Sequence, residues 1–246
     1  MSGWFFVVVV LFVYMVLQGR ALQRKAWTSH NKTPLRFFAL NLGIAVYAFQ
    51  GKLAGKYNNL WDNVMDGSLD SGKPKAQQQL ASFWGITEKG DPLRQHLVAL
   101  LAGASMRRND QYSSDVNPLD GLAIDISVTA HLAHLAIAAG YLEPDEGWGW
   151  MLLNAQKAAE CFDNWRDFLR HANAGLLVDT KQGASIIAGL MSPDQTDEKA
   201  IQQLKSWTDS WPGRAEQLLE HAPEHKPITD FPPWMEPEAI KFTYKE

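Results

Sequence analysis

The chain has 246 residues, of which 46% are hydrophobic and 20% charged, and its formal net charge is −4. This composition allows one compact domain with a buried core and excludes a disordered chain. The acidic balance argues against nucleic-acid binding, because phosphate recognition needs a concentrated basic face. Cys161 is the single cysteine, which excludes an intrachain disulfide and a metal site of several thiolates.

The N-terminal segment predicts a membrane anchor over residues 1–19. Fourteen consecutive apolar residues run from Trp4 to Leu17, and eleven of them are Leu, Phe or Val. Their insertion into a bilayer is favourable by roughly 3 to 7 kcal/mol in total. The stretch without charge reaches about 27 Å as a helix, close to the ~30 Å hydrocarbon core. No basic residue precedes it and no clear cleavage site follows, which favours an uncleaved anchor over a signal peptide.

The charges beside the anchor predict its orientation. Arg20, Arg24 and Lys25 follow the apolar run directly. By the positive-inside rule, the N-terminus lies outside and the rest of the chain lies in the cytoplasm. We therefore expect a single-pass protein of the inner membrane that contacts the lipid bilayer through Trp4–Leu17.

A second apolar stretch runs from Leu35 to Phe49, within a juxtamembrane helix and linker that we assign to residues 20–74. Its apolar residues fall on every side of a helix, which indicates burial in a core or, as an alternative, a short second membrane element. Turn-forming pairs between residues 58 and 76 favour a linker there.

The following residues carry helix boundaries and no strand alternation. Asp91 and Pro92 predict an N-cap followed by proline at the first helical position, with Leu93, Leu97, Leu100, Leu101 and Ala104 on one face. Further helices are expected from Pro118 to a C-cap at Gly140, from Pro144 through Trp165 and Phe168 to Gly175, and after Asp179 and Ser192. We predict an all-α, irregular multi-helix domain over residues 75–222, followed by a Pro-rich tail over 223–246.

The helix predicted after Pro118 carries a polar stripe on an otherwise apolar sequence. At 100° per residue, Asp120, Ser127, His131 and His134 fall within about 60° of one another. One hypothesis is a metal held by the two histidines with Glu146 or Asp163, and another is a nucleophile and base formed by Ser127 and His131. We favour a structural interpretation, in which Asp120 caps the helix and the other three bond to neighbouring helices. We accordingly expect no metal and no cofactor.

Asp125 lies on the opposite side of this helix among apolar residues. A buried carboxylate is costly unless it is paired, so we expect Asp125 to be buried and to meet Arg166, Arg94 or a helix N-terminus. Trp148, Trp150 and Trp165 are expected to pack in the core. The residues that we single out as the candidate functional cluster are Asp125, Ser127, His131, His134, Glu146, Trp165 and Arg166.

Several short motifs carry a family resemblance. Leu80 to Ile86 contains Trp-Gly-Ile, Ala139 to Leu142 reads Ala-Gly-Tyr-Leu with Glu146 behind it, and Asn164 to Phe168 is centred on Trp165. Together with Asp125, this order resembles the YbeU/YbeR-like bacterial family of domains of unknown function, over about residues 78–178. The pattern of that family has Trp-Asp-x-x-Arg where this chain has Ile124 to Val128, so the Asp is retained while the Trp and the Arg are absent. The resemblance implies a shared fold and no particular reaction.

Two classes of function follow from these features. The first is a membrane-anchored protein-interaction module, whose partner would be a toxin, an envelope complex or a secretion component. The alternative is a hydrolase-like or metal-dependent enzyme that uses the polar residues of the 120–165 region. We favour the first, because a membrane anchor with a Trp-rich helical domain suits binding and no catalytic motif is present.

Overall fold

The computed structural model describes residues 34–51, 72–104, 117–177 and 198–220. All regular structure in these ranges is α-helical, which confirms the expected all-α class. The helices are α1 (Pro34–Asn41), α2 (Ile44–Phe49), α3 (Gly72–Trp84), α4 (Asp91–Leu101), α5 (Pro118–Ala139), α6 (Pro144–Cys161), α7 (Trp165–Leu177) and α8 (Glu198–Glu220). The predicted anchor, the 58–71 part of the linker, the helix starts at Asp179 and Ser192 and the tail lie outside the described residues.

Helix α5 is the central element, and its ends are the predicted ones. The side chain of Asn117 accepts a hydrogen bond from the Leu119 N–H, and Pro118 occupies the first turn. At the other end Gly140 has a φ of 73°, a conformation that glycine adopts without strain. By length and composition α5 is apolar enough to cross a membrane, but 89% of its most apolar window is buried inside the domain. It is therefore the core helix of the described domain.

Two glycines bring neighbouring helices close to α5. A Cβ atom on Gly147 of α6 would lie 2.4 Å from Ile137 Cγ1, and one on Gly175 of α7 would lie 2.5 Å from the Asp120 carbonyl oxygen. Since real Cβ atoms do not approach backbone atoms so closely, the crossing at Gly175 requires glycine, whereas a Cβ on Gly147 would require the Ile137 side chain to move. The prediction that Gly175 ends a helix is wrong, because α7 continues through this glycine to Leu177.

The predicted single helix from Pro144 to Gly175 is also wrong, because it is divided between α6 and α7. Phe162 is extended, with φ −129° and ψ 135°. Asn164 then caps the new helix, since its Oδ1 accepts a hydrogen bond of 2.9 Å from the Asp167 N–H. An Asn followed three residues later by an acidic side chain has capping-box spacing, and this local signal outweighs the apolar continuity across the break.

Helices α1 and α2 lie inside the domain. All apolar side chains from Phe38 to Phe49 are at most 5% exposed. This burial favours the core interpretation of the Leu35–Phe49 stretch over the membrane element. The turn between the helices comes close to α5, because a Cβ on Gly43 would lie 3.3 Å from the His131 backbone nitrogen. The packed core therefore begins before residue 75, where we placed the start of the helical domain.

Helices α4 and α8 complete the packing. Helix α4 begins at Asp91, with Gly90 in the cap position, so the cap lies one residue earlier than predicted; Leu93, Leu97 and Leu100 are buried as expected. Helix α8 buries Trp207 and Trp211 against Phe49. Arg214 Nη1 donates a hydrogen bond of 2.6 Å to the Phe49 carbonyl oxygen, which satisfies a backbone acceptor at the end of α2.

Candidate functional site

The histidines of the polar stripe face α2 and the turn that follows it. His134 Nδ1 lies 2.5 Å from the Tyr47 hydroxyl, and His131 Nε2 lies 3.4 Å from Gln50 Nε2. The Tyr47 ring also meets His131 edge-on at a centroid distance of 4.8 Å. Both imidazoles are at most 1% exposed. The two histidines therefore lie at the contact between α5 and α2, and solvent does not reach them.

Ser127 belongs to the same buried face. Its side chain is fully buried, and Oγ makes no hydrogen bond to the residues that the structure describes. A serine nucleophile needs a base within hydrogen-bonding distance and a substrate path. The hypothesis of a Ser127–His131 pair therefore receives no geometric support, and Ser127 fills space between helices.

Asp120 does not cap α5, contrary to the prediction, because Asn117 holds that position and Asp120 lies within the first turn. Instead Asp120 Oδ1 accepts a hydrogen bond of 2.6 Å from Nδ1 of His171 in α7. These two side chains are 12% and 17% exposed, so they form the part of the stripe that solvent can reach. Sequence reasoning missed His171, although its i, i+4 spacing from Asp167 is a signal for neighbouring side chains on a helix.

Asp125 is buried, at 1% exposure, as expected. Next to Asp125, two backbone carbonyl oxygens of α5 accept hydrogen bonds from side chains. Thr129 Oγ1 donates to the Asp125 carbonyl oxygen at 2.7 Å, and Asn154 Nδ2 of α6 donates to the Ile126 carbonyl oxygen at 2.8 Å. The second bond fixes the position of α6 along α5.

Glu146 takes part in an ion pair rather than in the central stripe. Arg94 of α4 binds it in a bidentate manner, with Nε 2.7 Å from Oε1 and Nη2 3.0 Å from Oε2. The hydrogen bond from Arg94 holds the pKa of the Glu146 carboxyl below its ordinary value of 4.5, against the opposing effect of burial. Arg94, which we considered as a partner of Asp125, thus joins α4 to the first turn of α6.

The remaining candidates lie apart from the stripe. Trp165 is buried and packs edge-on against Phe38 and Phe168, whereas Arg166 is exposed. An apolar recess beside Trp165, also lined by Leu42 and Phe162, has a volume of about 10 Å³, room for about one water molecule. The seven predicted residues therefore do not converge on one pocket.

The described residues do not form the metal site that we considered for His131 and His134 with Glu146 or Asp163. No group of three or more His, Cys, Asp or Glu side chains gathers among them in a way that would hold an ion. His131 and His134 instead face Gln50 and Tyr47, two residues that sequence reasoning missed. No sequence signal pointed to these contacts, except that Tyr47 and Gln50 carry polar groups near the end of the apolar Leu35–Phe49 stretch.

These features define an all-α domain whose central helix carries an enclosed polar stripe. Residues 103–213 match the model of the family described as "Protein of unknown function (DUF1266)". The match agrees with the resemblance to a family of domains of unknown function that the sequence motifs indicate, and it contains α5, α6 and α7 completely. No curated protein and no solved structure matches the chain.

Proposed function

We propose that the chain is a membrane-anchored protein-interaction module, in which the helical domain presents its surface to a protein partner while Trp4–Leu17 holds it at the inner membrane. The observation that carries this proposal is the enclosure of the candidate catalytic groups. Ser127, His131 and His134 are at most 1% exposed. Sites for small molecules are usually clefts of about 300 to 1,000 Å³ with convergent polar groups. The recess beside Trp165, which the described residues line, is far smaller than such a cleft.

The outer face of α4 is the surface that we assign to the partner. Val98 is 47% exposed, the larger of the two exposed values among the large apolar side chains that the structure describes. Ala99 and Ala102 beside it are also exposed. An apolar strip rimmed by polar residues is a feature of protein contact surfaces. A toxin, an envelope complex or a secretion component would supply such a partner.

A photo-crosslinking amino acid tests this assignment in the full chain, expressed in cells. Placed at Val98, it should give one adduct of discrete mass that contains a second protein. The matched control is Glu160, an exposed charged position on α6, which should give no such adduct. Equal crosslinking at the two positions, or none at either, would contradict the assigned surface.

The membrane arrangement has a separate test. The full chain should resist extraction from membranes at alkaline pH, and a reporter fused after Glu246 should be active in the cytoplasm. Release by alkali would contradict the anchor, and reporter activity in the periplasm would contradict the orientation.

A further inference from the structure

Helix α8 has an internal weak point at residues 208–213, which we name the hinge. Pro212 lies inside the helix. Because proline has no N–H, the Thr208 carbonyl loses the donor that a helix supplies four residues later, and the proline ring crowds that carbonyl. Gly213 follows directly, and glycine is disfavoured in a helix interior because it loses the most backbone freedom. The helix is therefore weakened near its middle.

Packing requires neither of these two residues. Pro212 is exposed, and a Cβ on Gly213 would meet no atom of the described residues within 4 Å. Gly213 thus differs from Gly175, whose Cβ would clash with the backbone of α5. The two helix-weakening residues therefore stand side by side at a position where the contacts between helices do not demand them.

Two hydroxyl groups weaken the same part of the helix. Thr208 Oγ1 donates a hydrogen bond of 3.0 Å to the Leu204 carbonyl oxygen, and Ser210 Oγ donates one of 2.8 Å to the Ser206 carbonyl oxygen. Such bonds to the carbonyl four residues earlier compete with the backbone ladder and often bend helices. They lie in the turns directly before Pro212, so they act on the same weak point.

The C-terminal side of the hinge is held to other helices by directional bonds. Arg214 Nη1 donates to the Phe49 carbonyl oxygen at 2.6 Å. The Ala215 carbonyl oxygen accepts a hydrogen bond of 3.1 Å from Asn173 Nδ2 of α7. Because each bond needs a defined geometry, this end of α8 is fixed on the domain.

The N-terminal side, residues 198–207, is attached through little buried surface, and we name it the strap. Its buried residues are Ala200 and Trp207, whereas Ile201 is 39% exposed. The Trp207 ring lies 4.8 Å from the ring of Phe83, near the end of α3. Segments that bury few apolar side chains are the ones that open most readily.

We propose that the strap opens about the hinge as one unit, while the C-terminal side of α8 stays on the domain. Opening separates the rings of Trp207 and Phe83 and gives solvent access to the aromatic surface beneath. A released strap is shorter than the about 12 to 15 residues that an isolated helix needs in water, so opening also breaks its backbone hydrogen bonds. This motion is independent of the partner surface that we assign to α4.

Hydrogen exchange of the full chain in detergent, followed by mass spectrometry, measures the opening in the wild type. We expect the strap amides to share one protection factor that is lower than those of residues 214–220 and of α5. Fraying of the helix end would instead give protection that falls steadily toward Glu198, and this gradient would overturn the proposal. Equal protection on the two sides of the hinge would overturn it as well.

Two matched variants separate local opening from unfolding of the whole domain. Gly213→Ala strengthens the helix at the hinge and should raise the protection of the strap about fivefold. Gly149→Ala, at an equally open position in α6, makes the same change in helix propensity outside α8 and should leave the strap unchanged. If both variants raise the protection of the strap equally, it opens only when the whole domain unfolds. That outcome, or no effect of Gly213→Ala, would refute the hinge.

Discussion

The substitution Gly175→Ala tests whether the close crossing of α7 and α5 depends on glycine at this position. The added Cβ would lie 2.5 Å from the Asp120 carbonyl oxygen and 2.8 Å from Ile124 Cγ1. The first of these is a backbone atom within the first turns of the central helix, so it cannot move aside as a flexible side chain would. Helix α7 must therefore shift by about 1 Å to regain ordinary van der Waals contact.

Two opposing effects decide whether Gly175→Ala raises or lowers the free energy of unfolding. Alanine is favoured over glycine in a helix interior by about 1 kcal/mol, whereas overpacking of a close contact costs about 1 to 3 kcal/mol or more. We expect the clash to dominate and the free energy of unfolding to fall by about 1 to 2 kcal/mol. For a chain of this size, that corresponds to a Tm lower by roughly 2 to 8 °C.

Gly149→Ala in α6 is the matched control, because its Cβ would meet no atom within 4 Å. The propensity effect then acts alone, and Tm should rise by roughly 2 to 4 °C. Thermal unfolding of both variants, followed by circular dichroism, measures the two shifts. If Gly175→Ala raises Tm as much as Gly149→Ala does, the crossing has room for a methyl group and glycine is not required there.

Three further outcomes follow from single contacts. Tyr47→Phe removes the hydroxyl that lies 2.5 Å from His134 Nδ1 and should lower the free energy of unfolding by about 1 to 3 kcal/mol, measured by urea unfolding. Because Arg94 lowers the pKa of Glu146 below 4.5, the stability lost in Glu146→Gln should be fully present above that pH and disappear as pH falls through the lowered pKa; a gap that persists at pH 2 would contradict this. Burial raises the pKa of the Cys161 thiol, so iodoacetamide should alkylate Cys161 more slowly at pH 8 in the folded chain than in urea, with equal rates counting against that burial.

Helix boundaries with strong local chemistry were predictable from the sequence. Pro118 begins α5 and Gly140 ends it as predicted, because these conformations depend on the residue itself, whereas the cap is Asn117 and not the predicted Asp120. The apolar face of α4 followed in the same way from its leucine spacing. The break after α6 was missed, since Phe162, Trp165 and Phe168 keep a helical spacing across Asn164 that also favours a continuous helix.

The partners of the polar stripe were not predictable, because they depend on tertiary contacts. Tyr47 and His134 are 87 positions apart, and His171 and Asp120 are 51 apart. Nothing in local spacing connects such pairs. Gly175 illustrates the same limit, since a glycine near a helix end and a glycine at a helix crossing look alike in sequence.

The distribution of polar contacts along α5 suggests what the stripe does for the fold. A helix that is apolar on all sides can rotate or slide among apolar neighbours at small cost. Tyr47 of α2 meets His134, Asn154 of α6 meets the α5 backbone, and His171 of α7 meets Asp120, so three neighbours each fix α5 at a different height. Each bond is satisfied in one register only, and we infer that these polar contacts together select the arrangement of the helices. The combined loss of the Tyr47 hydroxyl and the Asn154 amide should therefore broaden the amide NMR spectrum of the domain, and a spectrum as sharp as that of the wild type would show that apolar packing alone determines the register.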